Sequence, residues 1–159
     1  MASDKQHCYA LQIQWTGNLG HGTSSYRVYE RSYEVTTKDK PAILGSSDPT
    51  FCGDPLRYNP EDFLVASLSA CHMLWYLHLC SDAKIIVTSY VDNASGTMAE
   101  TSNGGGHFTE VVLKPMVTIQ QGSNIAHAEQ LHEKAHELCF IANSVNFPIH
   151  CEPRIQVEV

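Results

Sequence analysis

Apolar and polar positions alternate from Tyr9 to Trp15: Tyr9, Leu11, Ile13 and Trp15 against Ala10, Gln12 and Gln14. That period of two predicts a strand with one buried face. The turn Gly-Asn-Leu-Gly-His-Gly (17–22) follows. A second strand is expected over about Ser24–Glu30 and a third near Ser32–Thr36. Residues 38–58, dense in Pro, Gly, Ser and Asp, read as a long loop, a type that is often functional. The pattern then changes. Asn59 is placed to cap a helix, Pro60 suits its first position, and Glu61 and Asp62 complement its dipole. From there to about Leu79 apolar residues occupy nearly every side, including Phe63, Leu64, Val65, Leu68, Met73, Leu74, Trp75 and Leu77. A helix apolar all round is expected to be buried. The run approaches membrane length, but Ser67, Ser69, His72 and His78 interrupt it, so a core helix is the reading preferred.

Residues 84–91 (KIIVTSYV) read as a strand, NASG (93–96) and SNGGGH (102–107) as punctuation, and FTEVVLKPMVTI (108–119) as a further strand or hairpin arm. Residues 126–143 (AHAEQLHEKAHELCFIAN) read as a second helix with Ala128, Leu131, Ala135, Leu138 and Ala142 as its inner stripe, ending near Asn143. The tail alternates again, with Ile149, Cys151, Ile155, Val157 and Val159 on one face. The order β-β-β-α-β-β-α-β predicts one α+β domain over residues 1–159 with mostly antiparallel strands.

The balance of charge narrows the partners. Charged residues are 17% of the chain and the net charge is −7 with His neutral, which argues against nucleic acid. The polar N-terminus MASDKQHC shows no apolar export segment, so a cytoplasmic location is expected. In a reducing compartment the six cysteines serve as packing residues, metal ligands or redox groups. No Cys-x-x-Cys pair occurs, so no zinc ribbon or thioredoxin motif is supported and no cofactor or metal is expected.

Cys71 lies in the middle of the most apolar helix. It reads either as a small core hydrophobe or as a thiolate held in a dry pocket. Cys80, half a helical turn out of phase, reads as packing, while Cys139 sits one residue off the inner stripe of the second helix. His132–His136 (HEKAH) matches the zinc-protease pattern, with Glu133 as base; the alternative is a solvated helix face, with both histidines on the surface. Glu61 reads as a first-turn acid or as the partner of Arg57, four residues before it, beside an active thiol.

The run NPEDFLVASLSACH, with Glu61 ten residues before Cys71, resembles the signature of the OsmC/Ohr family, the osmotically inducible protein C and organic hydroperoxide resistance proteins. CFIANSVNFPI, starting at Cys139, is similar to that family's second cysteine motif, and WTGNLGHGT and GSSDPTFCGDPLRYNPED look like one branch of it. The resemblance covers nearly the whole chain. It implies an OsmC-like α+β fold, with antiparallel sheets packed on central helices in an intertwined homodimer. It implies a thiol peroxidase in which Cys71 is peroxidatic, Cys139 resolving and Glu61 the motif's acid. The substrate would be an organic hydroperoxide and the reductant an external dithiol, with neither nucleic acid nor membrane as partner. Where relatives of this branch carry Phe-Arg-Gly-Asp, this chain has Phe51-Cys52-Gly53-Asp54, so Arg57 becomes the nearest arginine, with Arg27 and Arg31 the others. The rival functions are a non-catalytic thiol sensor or ligand-binding protein, and a zinc hydrolase built on HEKAH.

Overall fold

The computed structural model describes residues 5–159; the first four residues of the polar N-terminus lie outside the described residues. The chain divides into two units, one ending at Phe63 and one spanning Leu64–Val159.

In the first unit β1 (Gln12–Trp15), β2 (Tyr33–Thr36) and β3 (Ile43–Gly45) form an antiparallel sheet in that order. Ile13 pairs with Val35, and Glu34 with Leu44. The 17–22 turn closes on Asn18, whose Oδ1 accepts from Gly20 N at 2.9 Å and Gly22 N at 3.0 Å, both glycines at positive φ. The strand expected over Ser24–Glu30 is absent. Its carbonyls have another partner: the Arg31 guanidinium takes those of Tyr29 and Tyr26, each at 2.6 Å, and lies on both tyrosine rings. That clamp folds the segment into successive turns. β3 also lies inside the stretch read as one loop. β1 departs from expectation as well, because no face of it is buried and Leu11 is 65% exposed.

α1 (Pro60–Asp82) starts as its sequence demands. Asn59 Oδ1 accepts from Asp62 N at 2.7 Å, and Asp62 Oδ2 accepts from Asn59 N at 3.1 Å, a reciprocal cap with Asp in the third position. The helix is unbroken for 23 residues and is long and apolar enough to cross a membrane. Only one stripe of it is fully buried in the chain: Leu68, His72, Tyr76 and Cys80, at i,i+4 spacing. The all-round burial expected of so apolar a helix is thus not met within one chain.

The second unit holds β4 (Val87–Asp92), β5 (Ser95–Glu100), β6 (Gly106–Leu113), β7 (Pro115–Ile119), α2 (Ile125–Leu138), β8 (Ile149–Cys151) and β9 (Arg154–Val157). The stretch 108–119 is two strands rather than one. It bends at Lys114 so that β6 and β7 join different sheets, β5-β6-β8 and β4-β7-β9. The tail repeats the bend at Glu152–Pro153, so β8 runs parallel to β6 and β9 parallel to β7. β5 begins in the NASG stretch read as punctuation, runs on through residues given no element, and pairs antiparallel with β6. Asp92 ties α1 to the bend by accepting from Ser69 Oγ at 2.5 Å and Lys114 N at 2.7 Å. One core gathers Tyr76, Cys80, Ile85, Val117, Ile119, Ala128 and Ala135; the other gathers Leu68, Val111 and Leu113. The mixed α+β class is as the strand and helix pattern predicts, mostly antiparallel, with two parallel pairs added.

Candidate active site

Cys71 is half-buried on α1, one position before the buried stripe. Cys139 comes from a place the sequence did not indicate. α2 ends at Leu138, and Cys139 is its C-cap, with extended backbone at φ −66° and ψ 110°. Asn143 explains the early stop. Its Nδ2 donates to the Glu137 carbonyl at 2.9 Å and to the Cys139 carbonyl at 3.1 Å, satisfying carbonyls that a longer helix would have bonded internally. The chain leaves the helix there and turns the thiol inward. Ala142 N donates to Cys139 Sγ at 3.4 Å.

The two thiols are neighbours: burial first, and then the Cys71 thiol beside it, push Cys139 up to about 11, so it stays protonated at neutral pH. All six cysteines are free. Over Cys71 lies an apolar cup of about 330 Å³ lined by Leu74, Trp75, His78 and Phe140. Trp75 meets Phe140 edge to face at 5.6 Å. Leu74 and Phe140 are 62% and 65% exposed, so the mouth of the cup is apolar too.

The other expected site residues lie in the first unit. Arg57 Nε meets Asp54 Oδ2 at 3.4 Å, and its Nη1 is buried without a hydrogen-bond partner. Arg57, Arg31, Glu30, Ser32, Ser46 and Cys52 line one pocket. Arg31 is engaged by its tyrosine clamp and Arg27 is exposed. Glu61 stands in the first turn of α1; ten helical residues rise about 15 Å, so it and Cys71 of one continuous helix do not touch.

HEKAH is not laid out as a protease site, and His132 is not on the surface. It is 3% exposed, and its Nδ1 lies 3.0 Å from Nε2 of His72, itself 1% exposed. His136, by contrast, is exposed. Cys151 Sγ lies 3.6 Å from the same His72 nitrogen. This group was missed because each member alone resembles core filler. The available signal was phase: His72 falls on the Leu68–Tyr76–Cys80 row, and Cys151 on the inward face of the tail. Burial pushes His72 down to about 4 and His132 to about 3, so both are neutral in the fold. The unfolded chain, with histidines near 6.5, then binds more protons than the folded one. Stability is therefore complete above about pH 6.5 and falls on acidification toward pH 4, by about 1.4 kcal/mol per pH unit for each histidine. Urea unfolding with a chelator present should show this slope between about pH 6.5 and 5, ahead of the carboxylates; a flat profile there would contradict the neutral buried pair.

The family model described as OsmC-like protein matches residues 53–154. No curated protein matches the sequence. Among solved structures, an OsmC-like protein of unknown function from Vibrio cholerae is 32% identical, with a TM-score of 0.84, over 94% of this chain and 100% of that one. An organic hydroperoxide resistance protein from Elizabethkingia anophelis is 22% identical with a TM-score of 0.67, over 97% of this chain and 100% of that one. One from Legionella pneumophila is 20% identical with a TM-score of 0.63, over 95% and 99%. The last two establish likeness of fold. With a family model spanning both cysteine-bearing stretches and a relative aligned over almost its whole length, the chain belongs to the OsmC-like protein family.

Proposed function

We propose that this protein is a cysteine-based peroxidase that reduces organic hydroperoxides to alcohols through Cys71 and Cys139. The observation that supports it most is the half-buried Cys71 thiol lining an apolar cup, with a second, buried thiol as its neighbour. The Cys71 thiolate attacks the terminal oxygen of R–O–O–H. The O–O bond breaks, the alkoxide takes a proton and leaves as alcohol, and Cys71 holds the oxygen as sulfenic acid. Cys139 then attacks the Cys71 sulfur and expels water, forming a disulfide that an external dithiol reduces by two exchanges. A reducing cytoplasm, where exposed Cys8 and Cys52 stay free, suits that cycle. The apolar cup favours an alkyl or aryl hydroperoxide over hydrogen peroxide. With dihydrolipoamide as reductant, cumene hydroperoxide should be consumed at least about tenfold faster than hydrogen peroxide, a discrimination of about 1.4 kcal/mol or more. Equal rates would remove the cup from the account.

Arg57 is assigned as the cation that stabilises the thiolate, because its Nη1 has no partner of its own. Glu61 orients it. With 15 Å or so of helix between Glu61 and Cys71, the carboxylate serves the thiol of a second chain. A homodimer also covers the apolar faces of α1 outside its one buried stripe. Light scattering should give the mass of two chains, and mixing Glu61→Ala with Cys71→Ser chains should restore part of the activity through the one hybrid site holding both groups. A folded monomer at micromolar concentration would exclude the dimer, and no restoration would place both groups in one chain's site.

A further inference from the structure

α1, α2 and β8 each send one metal-binding side chain to a single point, separate from the Cys71–Cys139 pair. His72 Nε2, His132 Nδ1 and Cys151 Sγ all lie within 4.8 Å of one another, the only such set of three among the described residues. We propose that these three residues bind one zinc-type transition-metal ion, with its fourth position facing the cleft beside α2.

The spacing fits. Zn–N bonds of about 2.0–2.1 Å and a Zn–S bond of about 2.3 Å in a tetrahedron require N···N near 3.3 Å and N···S near 3.6 Å. The observed separations are 3.0 Å between the imidazoles, 3.6 Å between Cys151 Sγ and His72 Nε2, and no more than 4.8 Å between Cys151 Sγ and His132 Nδ1. The two rings lie within 8° of parallel, their facing nitrogens at hydrogen-bonding distance. A small ring rotation lets the ion sit between them. As a purely structural element the trio is poorly satisfied. The outer nitrogens, His72 Nδ1 and His132 Nε2, are buried without partners, as is the Tyr90 hydroxyl. Buried polar groups left unmet in this way destabilise the fold, so an apolar trio would hold the core together better.

The ligand set selects the ion. Two imidazoles and a thiolate suit Zn2+, Co2+ or Cu+, and exclude the oxygen-seeking Mg2+ and Ca2+. Access exists, because His132 and Cys151 both line a cleft of about 670 Å³ whose other walls include Glu133, His136 and Pro153. The site uses the first histidine of HEKAH without the second, so it is not the protease arrangement. The imidazoles are already neutral, and the Cys151 thiol, pushed up to about 12 by burial, is protonated in the metal-free chain. Binding therefore expels one proton from Cys151, and affinity rises with pH. The ion would clamp α1 to α2 one residue past Cys71 on α1.

The test is a Co2+ titration of the reduced full-length chain without oxygen. One equivalent per chain should bind, with tetrahedral ligand-field bands and a thiolate-to-cobalt charge-transfer band, and Zn2+ should displace it. Cys151→Ser should lose the charge-transfer band and at least about tenfold in affinity, while Cys71→Ser keeps both. Absence of stoichiometric binding would overturn the proposal. So would bands that survive Cys151→Ser, or that vanish in Cys71→Ser, which would put the metal on the thiol pair. Should Cys151→Ser not fold, zinc-edge X-ray absorption of the loaded wild type decides: one sulfur and two imidazoles are expected, and two sulfurs or none would overturn the site. Neither measurement depends on peroxide turnover.

Discussion

Cys71→Ser is expected to abolish hydroperoxide consumption, lowering it at least about a thousandfold, because a serine hydroxyl is neither ionised nor nucleophilic enough to attack the O–O bond. The substitution removes little volume from a half-buried position, so the fold and its melting temperature should be nearly unchanged. That separates lost chemistry from lost structure. The remaining cysteines do not compensate. Cys8 and Cys52 are exposed and lack an apolar cup, and burial pushes the thiols of Cys80, Cys139 and Cys151 up, away from the reactive thiolate. Normal turnover in the variant, followed in a coupled assay with a dithiol, would end the peroxidase reading.

Cys139→Ser should give a different failure. The first equivalent of cumene hydroperoxide per chain should be consumed at close to the normal rate, since attack needs only the Cys71 thiolate. Turnover should then stall, because the sulfenic acid has no neighbouring thiol with which to condense, and further peroxide should carry Cys71 to sulfinic acid. The neighbouring position of the two thiols supports this division. Mass spectrometry of the treated variant measures it directly. Undiminished cycling would mean that another thiol resolves Cys71.

The parts of the fold that could be read in the sequence are those set by local chemistry. Asn59-Pro60-Glu61-Asp62 fixes the start of α1 because each residue meets a demand of a helix N-terminus, and the reciprocal Asn59–Asp62 cap is the result. The parts that could not be read depend on groups distant in sequence or on side chains overriding pattern. Residues 24–30 alternate like a strand, yet the Arg31 clamp takes the carbonyls a strand would need. The second helix pattern runs on to Asn143, but the Asn143 amide caps the helix early and sets Cys139 at its end. All four residues of β1 are exposed, with Trp15 meeting Tyr29 edge to face, so its periodicity promised a burial that the described residues do not supply. The thiol pair was legible through its two motif contexts. The His72–His132–Cys151 group was not, because it exists only once α1, α2 and β8 are packed together.

Mapping the bond that one turnover leaves behind shows whether Cys71 reacts and Cys139 resolves it. The reduced chain is mixed with one equivalent of cumene hydroperoxide without added reductant, its remaining thiols are blocked, and the digest is read by mass spectrometry. A single disulfide joining Cys71 to Cys139 is expected, formed with the release of one cumyl alcohol per chain and reversed by dihydrolipoamide. Oxidation found instead at exposed Cys8 or Cys52, or a chain that leaves the peroxide unconsumed, would contradict it.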